Sequence, residues 1–272
     1  MTAPLSRPDI DTPYTLTEDR IDSFRKNGYV KLKDVLSPET LAYYGPEITA
    51  RVTELNRETR PVEERDTYHK AFLQVTNLWQ KSDLIREFVH SKRLGRIATE
   101  LLGTRGVRMY HDQALYKEPA GGFTPWHVDQ QYWPLSSEKT VTAWIPLHPV
   151  PLEMGPLEFS VGSQKIKFGR EFAISDESER EIDRYLKLSN LPIDRSPFDL
   201  GEVSFHYGFT FHRAGPNTTE KPREVMTIIY MDRDMKLVEP RNDAQRRDWE
   251  AWCPEVEAGE IIDAPLTPVL YP

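Results

Sequence analysis

The spacing of apolar side chains divides the chain near Gly103. Upstream, apolar residues recur at helical intervals. Ile21 and Phe24 share a face at i, i+3 after Thr15-Leu16-Thr17-Glu18, which fits a capping box of the form S/T-x-x-E. Gly28 predicts a left-handed cap for that helix, and Tyr29–Leu32 a short strand. Ser37 before Pro38 predicts a second helix start with proline at the first helical position, and Leu41, Tyr44, Ile48 and Val52 continue its stripe. Leu94, Ile97, Leu101 and Leu102 give a helix over Lys92–Leu102 an inward face, and Gly103 closes it. Downstream the period shortens. Strands are expected over residues 107–117, 123–129, 140–147, 202–205, 210–212 and 225–231, separated by Gly, Pro and Asn, with a helical insertion over Asp176–Leu188. This pattern predicts a mainly β fold with helical additions, a jelly roll with N-terminal helices packed outside it. Residues 1–14, polar and carrying three prolines, are expected to form a flexible arm ahead of a single domain over 15–272.

Composition narrows the function classes. A net charge of −8 gives no basic footprint for nucleic acid. No apolar run approaches the roughly 18 residues that cross a bilayer, and the N-terminal stretch lacks the basic-then-apolar layout of a signal peptide. A single cysteine, Cys253, excludes an internal disulfide and suits a reducing, cytoplasmic setting.

The most specific local chemistry is Trp126-His127-Val128-Asp129. On a strand, residues two apart point to one side, so His127 and Asp129 can reach one ion together. A third ligand is needed, and His212 is the best candidate, just before the turn Ala214-Gly215-Pro216-Asn217. Two histidines and a carboxylate on one face of an ion leave three positions open, the arrangement of non-haem iron(II) oxygenases. Of the other histidines, His69 and His90 are expected on the surface and His148 in a loop, while His111 and His206 fit a core or a supporting position behind the ligands. Arg223 follows His212 by eleven residues across a turn-rich segment, which places the two on neighbouring strands of a hairpin. An arginine there can grip a carboxylate by two charge-assisted bonds. Iron(II), Asp129, Arg223 and a 2-oxoglutarate dianion then sum to zero charge, which spares the cost of a buried uncompensated ion. Parity on residues 107–117 puts His111 and Gln113 on one face with Val107, Met109 and Leu115, a lined cavity rather than a dry core. On 140–147, alternation leaves open whether the Val141 face or the Thr142 and Trp144 face looks at the metal. Tyr132 and Trp133 fit an aromatic wall or ordinary packing, with packing favoured. Lys117 is expected at the surface.

Four motifs in order resemble the phytanoyl-CoA dioxygenase family. They are Phe24-Arg25-Lys26-Asn27-Gly28-Tyr29-Val30 with Asp34-Val35-Leu36-Ser37; Trp126 to Pro134; Gly155-Pro156-Leu157 to Gly162-Ser163; and Phe205-His206 with His212-Arg213-Ala214-Gly215-Pro216-Asn217 to Arg223. The resemblance implies a double-stranded β-helix and an iron(II)-, 2-oxoglutarate- and O2-dependent dioxygenase. It implies iron on His127, Asp129 and His212, and the distal cosubstrate carboxylate on Arg223. It adds Gln113, Trp144 and Thr142 as cosubstrate contacts. Asp129 stands where halogenating relatives have glycine or alanine, so halogenation is not expected. Ala214 replaces a serine that helps hold the cosubstrate in many relatives, and Thr227 is the candidate substitute. Gln164 replaces a structural histidine. The expected reaction is hydroxylation of a small molecule, by a monomer or homodimer. Oxidative cyclisation, desaturation or epimerisation on the same scaffold is one alternative. A cupin-like metal-dependent hydrolase or isomerase is another.

Overall fold

The computed structural model describes residues 6–272. Helices α1 (Glu18–Asn27), α2 (Pro38–Leu55), α3 (Thr67–Ala71), α4 (Asp83–Val89) and α5 (Lys92–Leu102) precede most of the sheet, with strands β1 (Tyr29–Leu32) and β2 (Leu73–Thr76) between them. Then come β3 (Val107–Tyr116), β4 (Thr124–His127), β5 (Thr140–Pro146), β6 (Leu157–Ser160), α6 (Asp176–Leu188), β7 (Ile193–Asp194), β8 (Val203–Tyr207), β9 (His212–Ala214), β10 (Val225–Asp232), α7 (Asp243–Trp252) and β11 (Val269–Tyr271). All strand pairings are antiparallel. A 7-stranded sheet runs β1-β8-β5-β10-β3-β11, with β2 also on β3, and a 4-stranded sheet runs β4-β9-β6-β7. The double-layered jelly roll with outer helices is therefore the fold.

Helices α2, α4 and α5 pack into the core on the outer face of the larger sheet, whereas α6 packs on β4 of the smaller one. Ser37 caps α2 by accepting from the Thr40 N–H at 3.2 Å, Pro38 opens the helix, and Leu41, Tyr44, Ile48 and Val52 are buried. In α5, Leu94, Ile97, Ala98 and Leu101 enter one core with Val141, Ala143 and Ile145 of β5. Burying such side chains stabilises by about 1.5–3 kcal/mol each. The Val141 face of β5 is thus the outer, dry face, and Thr142 and Trp144 look inward. A smaller core of Trp144, Leu157, Phe159, Ala214 and Val225 joins the two sheets at one end.

Several expectations change. The capping box at Thr15 does not form; α1 starts at Glu18 after Thr17, which makes no side-chain cap. Gly28 does end α1 in the left-handed region, at φ 88°. Of the expected arm, residues 1–5 lie outside the described residues. Its described part is fastened rather than loose. Ile10 is buried in the main core, Ser91 Oγ donates to its carbonyl at 2.5 Å, and Arg93 Nε donates to the Thr12 carbonyl at 2.7 Å. Strand parity on β3 breaks because pairing with β10 shifts between Ile229 and Tyr230. This bulge at Tyr110 sends Val107 and Met109 to the outer core and leaves His111 and Gln113 facing the inner cavity. The expected hairpin is also absent: His212 lies on β9 of the smaller sheet, whereas Arg223 bridges Lys117 two residues before β10 of the larger one. Both still reach the same cavity, from opposite layers.

Candidate metal centre and its cavity

The space between the sheets is a cavity of about 310 Å3. The smaller sheet contributes Thr124, His127, Leu157, His212 and Ala214. The larger contributes His111, Gln113, Thr142, Trp144, His206 and Thr227. Asp129 and Arg223 line it as well.

His127 ends β4 and pairs directly with His212 at the start of β9, which sets their rings 4.1 Å apart. The strand expected to carry both His127 and Asp129 stops at His127; Val128 stays extended, and Asp129 opens a 3-10 turn over Asp129–Tyr132. The carboxylate still turns toward the rings. Its Oδ1 is 3.7 Å from His127 Nε2 and 3.5 Å from His212 Nε2, and one ligand atom from each of the three residues lies within 4.8 Å of the others.

The remaining polar atoms of the triad are already partnered. His127 Nδ1 meets the Pro125 carbonyl at 2.7 Å, and His212 Nδ1 the Thr210 carbonyl at 3.0 Å. A carbonyl only accepts, so each Nδ1 carries the proton and each Nε2 presents its lone pair to the centre. Asp129 Oδ2 accepts from Thr142 Oγ1 at 2.8 Å and from His206 Nε2 at 3.1 Å. Oδ1 is left facing the rings. Burial pushes His127 and His212 below their ordinary pKa, so they stand neutral. Burial alone would raise Asp129, but His212, His206 and His127 outweigh it and hold the carboxyl well below the usual range. Two neutral imidazoles and one carboxylate are the donor set that suits a divalent transition metal.

Arg223 is buried, and burial pulls its pKa down to about 9. Its Nη1 donates to the Gly155 carbonyl, its Nε has no partner, and Trp144 stands with its ring 5.4 Å away. Lys117 is fully buried beside it rather than at the surface. The backbones of the two residues pair, and Lys117 Nζ donates to the Gly122 carbonyl. The 121–122 glycines let the loop close over the lysine: a Cβ on Gly121 would stand 2.8 Å from Lys117 Cγ. Burial, with Arg223 nearby, pushes the lysine well below its ordinary pKa. This corner holds the Arg223 guanidinium and the Lys117 amine and, among the described residues, no ion pair to either, an arrangement that favours an anion.

The other expected residues fall as follows. Gln113 lines the cavity, with its Oε1 accepting from Gln74 Nε2 at 2.5 Å. Trp144 lines it with its indole N–H unpartnered. Thr142 lines it but gives its hydroxyl to Asp129, and the Thr227 hydroxyl donates to the Gln113 carbonyl at 3.1 Å. Tyr132 and Trp133, expected as packing, line the cavity. Arg213 turns away to Glu158 and Glu179, at 2.9 and 2.7 Å. Gln164 donates to the carbonyls of Arg25 and Lys26 at the end of α1. His69 is exposed as expected, but His90 is half-buried, packed against Trp79 with ring centroids 5.4 Å apart. Sequence reading missed the walls brought by α3 and α7, namely Tyr68, Asp248 and Trp252. Nothing local marks these residues, because their helices are short or mostly polar and lie far along the chain from the triad.

The sequence pattern of the phytanoyl-CoA dioxygenase (PhyH) family matches residues 24–225, which contain every residue of the triad and Arg223. The chain belongs to this family. It is a 2-oxoglutarate-dependent dioxygenase of the non-haem iron type. Among curated proteins it is similar to a probable alpha-ketoglutarate-dependent hypophosphite dioxygenase of Stutzerimonas stutzeri, 24% identical over 220 residues, covering 76% of each chain. Among solved structures it is similar to the non-heme alpha ketoglutarate dependent carbocyclase SnoK from nogalamycin biosynthesis. The identity is 25% and the TM-score 0.77, over 94% of this chain and 98% of that one. The epimerase SnoN in complex with Fe3+, alpha ketoglutarate and nogalamycin RO matches at 24% identity and a TM-score of 0.77, over 93% and 98%. Family membership sets aside the cupin-like hydrolase or isomerase. Among the described residues, no helix is long and apolar enough to cross a membrane.

Proposed function

We propose that this cytoplasmic enzyme holds iron(II) through His127 Nε2, Asp129 Oδ1 and His212 Nε2, fixes 2-oxoglutarate with Arg223, and hydroxylates a C–H bond of a small organic molecule in the same cavity. The atoms balance as R–H, O2 and 2-oxoglutarate going to R–OH, succinate and CO2. Bound iron would supply the activation of O2. The carrying observation is the pairing of a three-donor centre with a buried, partly unpartnered guanidinium across one cavity. The first fits a divalent metal, and the second a carboxylate that the protein does not itself provide.

The chain's own residues do the positioning. The carbonyls of Pro125 and Thr210 fix the imidazole tautomers, and Thr142 and His206 aim Asp129. Trp144 and Gln113 flank the space between metal and Arg223, where the cosubstrate would lie. Ala214 offers no hydroxyl there, and Thr227 lines the same cavity from the opposite sheet. Because Asp129 would itself supply an oxygen to the metal where a glycine or alanine would not, halogenation is disfavoured. The likeness to a carbocyclase and an epimerase supports ring closure or epimerisation as a second reading, since these differ from hydroxylation only in how the oxidised carbon is resolved.

The test is succinate release from 2-oxoglutarate under O2 by the iron-loaded protein. Release by the wild type and none by His127→Ala supports the reading. Equal release by both would refute it.

A further inference from the structure

The cavity that holds the triad contains a second carboxylate, which the oxygenase reading does not use. Asp248 reaches it from α7. Its Oδ2 accepts from the Tyr110 hydroxyl at 2.9 Å. It takes part in no ion pair among the described residues, and its chain neighbour Arg247 is exposed. Burial pushes its carboxyl up to about 7, against the pull of the Tyr110 hydroxyl, which donates to it, and of the exposed Arg247. The nearest basic ring on the cavity wall does not help. His111 stacks on Trp252, with centroids 4.9 Å apart and planes at 28°, and burial holds its pKa down to about 4, so it is uncharged. The rest of this wall is aromatic: Tyr68, Phe72, Tyr132, Trp133 and Trp252.

A purely structural partner for the Tyr110 hydroxyl need not be charged. An amide would accept the same bond without the cost of a buried anion, which is several kcal/mol when uncompensated. A neutral hydroxyl on a ligand would add a hydrogen bond and leave the charge in place. An anion would be repelled. An ammonium compensates the charge and gains from the aromatic faces, whose electron-rich surfaces attract cations.

We propose that Asp248 recognises a protonated amine on the substrate, held against this aromatic wall. The specificity residue is then Asp248, and the substrate class is small cationic amines. The size limit follows from the volume: about 310 Å3 must take the cosubstrate as well, and that lies at the small end of ligand pockets. The identification of this ligand as the substrate rests on the oxygenase reading; the recognition of a cation by Asp248 does not.

Calorimetry on the full-length protein, loaded anaerobically with iron(II) and 2-oxoglutarate, tests it with a matched series: phenethylammonium, 2-phenylethanol and 3-phenylpropionate. The wild type should bind the ammonium at least about tenfold more tightly than the alcohol, and the carboxylate most weakly. Asp248→Asn keeps an acceptor for Tyr110 and removes the charge, so the ammonium and the alcohol should bind alike. Equal or tighter binding of the alcohol or the carboxylate by the wild type would overturn the proposal, and so would a cation preference that survives in D248N. If D248N does not fold, the wild-type series alone still decides. Succinate release by the wild type without any amine reports separately on the oxygenase reading. Its absence would sink that reading and leave the cation preference standing.

Discussion

The two corners of the cavity are built in opposite ways. At the metal corner every polar atom of His127, Asp129 and His212 that does not face the centre is already bonded: Nδ1 of His127 and of His212 to carbonyls, and Asp129 Oδ2 to Thr142 and His206. One atom from each ligand is left pointing inward. At the Arg223 corner, the guanidinium Nε and the Trp144 indole N–H are buried with no partner, and Lys117 lies buried beside them with no ion pair among the described residues. The first corner is preorganised, so a metal meets donors that need little rearrangement. The second leaves two buried donors unpaired, and an anion bound there would recover the desolvation that Arg223 suffers.

This contrast can be broken at either side. The largest effect is expected from His212→Ala. It removes a donor and should leave iron content near zero and succinate release undetectable, measured by elemental analysis and product assay on the same sample. Removing the metal with a chelator should give the same loss in the wild type and be reversed by added iron(II). Arg223→Ala should leave iron content unchanged but weaken 2-oxoglutarate binding roughly 30-fold, corresponding to about 2 kcal/mol for a charge-assisted pair. A loss of iron instead of cosubstrate would erase the distinction between the corners. Thr142→Val removes only one of two bonds on Asp129 Oδ2 and should lower iron affinity by about tenfold in a competitive chelator titration, the low end for residues that orient a ligand. Gln164→Ala lies outside both corners. Losing its two bonds at the end of α1 should cost about 1 kcal/mol of stability in a denaturant melt and change neither iron nor 2-oxoglutarate affinity.

The two corners also differ in how much could be read in advance. The H-x-D pair and a histidine before a turn are local patterns, so the meeting of these three side chains was legible, although Asp129 reaches the others from a turn rather than from the strand expected to carry it. Arg223 was legible as a residue and misplaced as a neighbour. A hairpin was the economical guess for an eleven-residue gap, but the chain crosses between sheets there. Lys117 was misjudged because a lysine at a strand end is ordinarily solvated, and nothing in its own segment shows a glycine loop folding over it. Parity failed on β3 for a similar reason, since one bulged residue reverses every later side chain. The helical stripes of α2 and α5 were plain because their apolar residues recur at the period of one buried face. The polar α7 carried no such signal, yet it delivers Asp248 and Trp252 to the cavity wall.

The most direct measurement is a crystal structure of the protein soaked anaerobically with iron(II) and 2-oxoglutarate, with the metal located by its anomalous scattering. One iron bound by His127 Nε2, Asp129 Oδ1 and His212 Nε2, with the far carboxylate of 2-oxoglutarate against Arg223, is the predicted result. A metal bound elsewhere, or a cosubstrate that leaves Arg223 unpaired, would contradict the account.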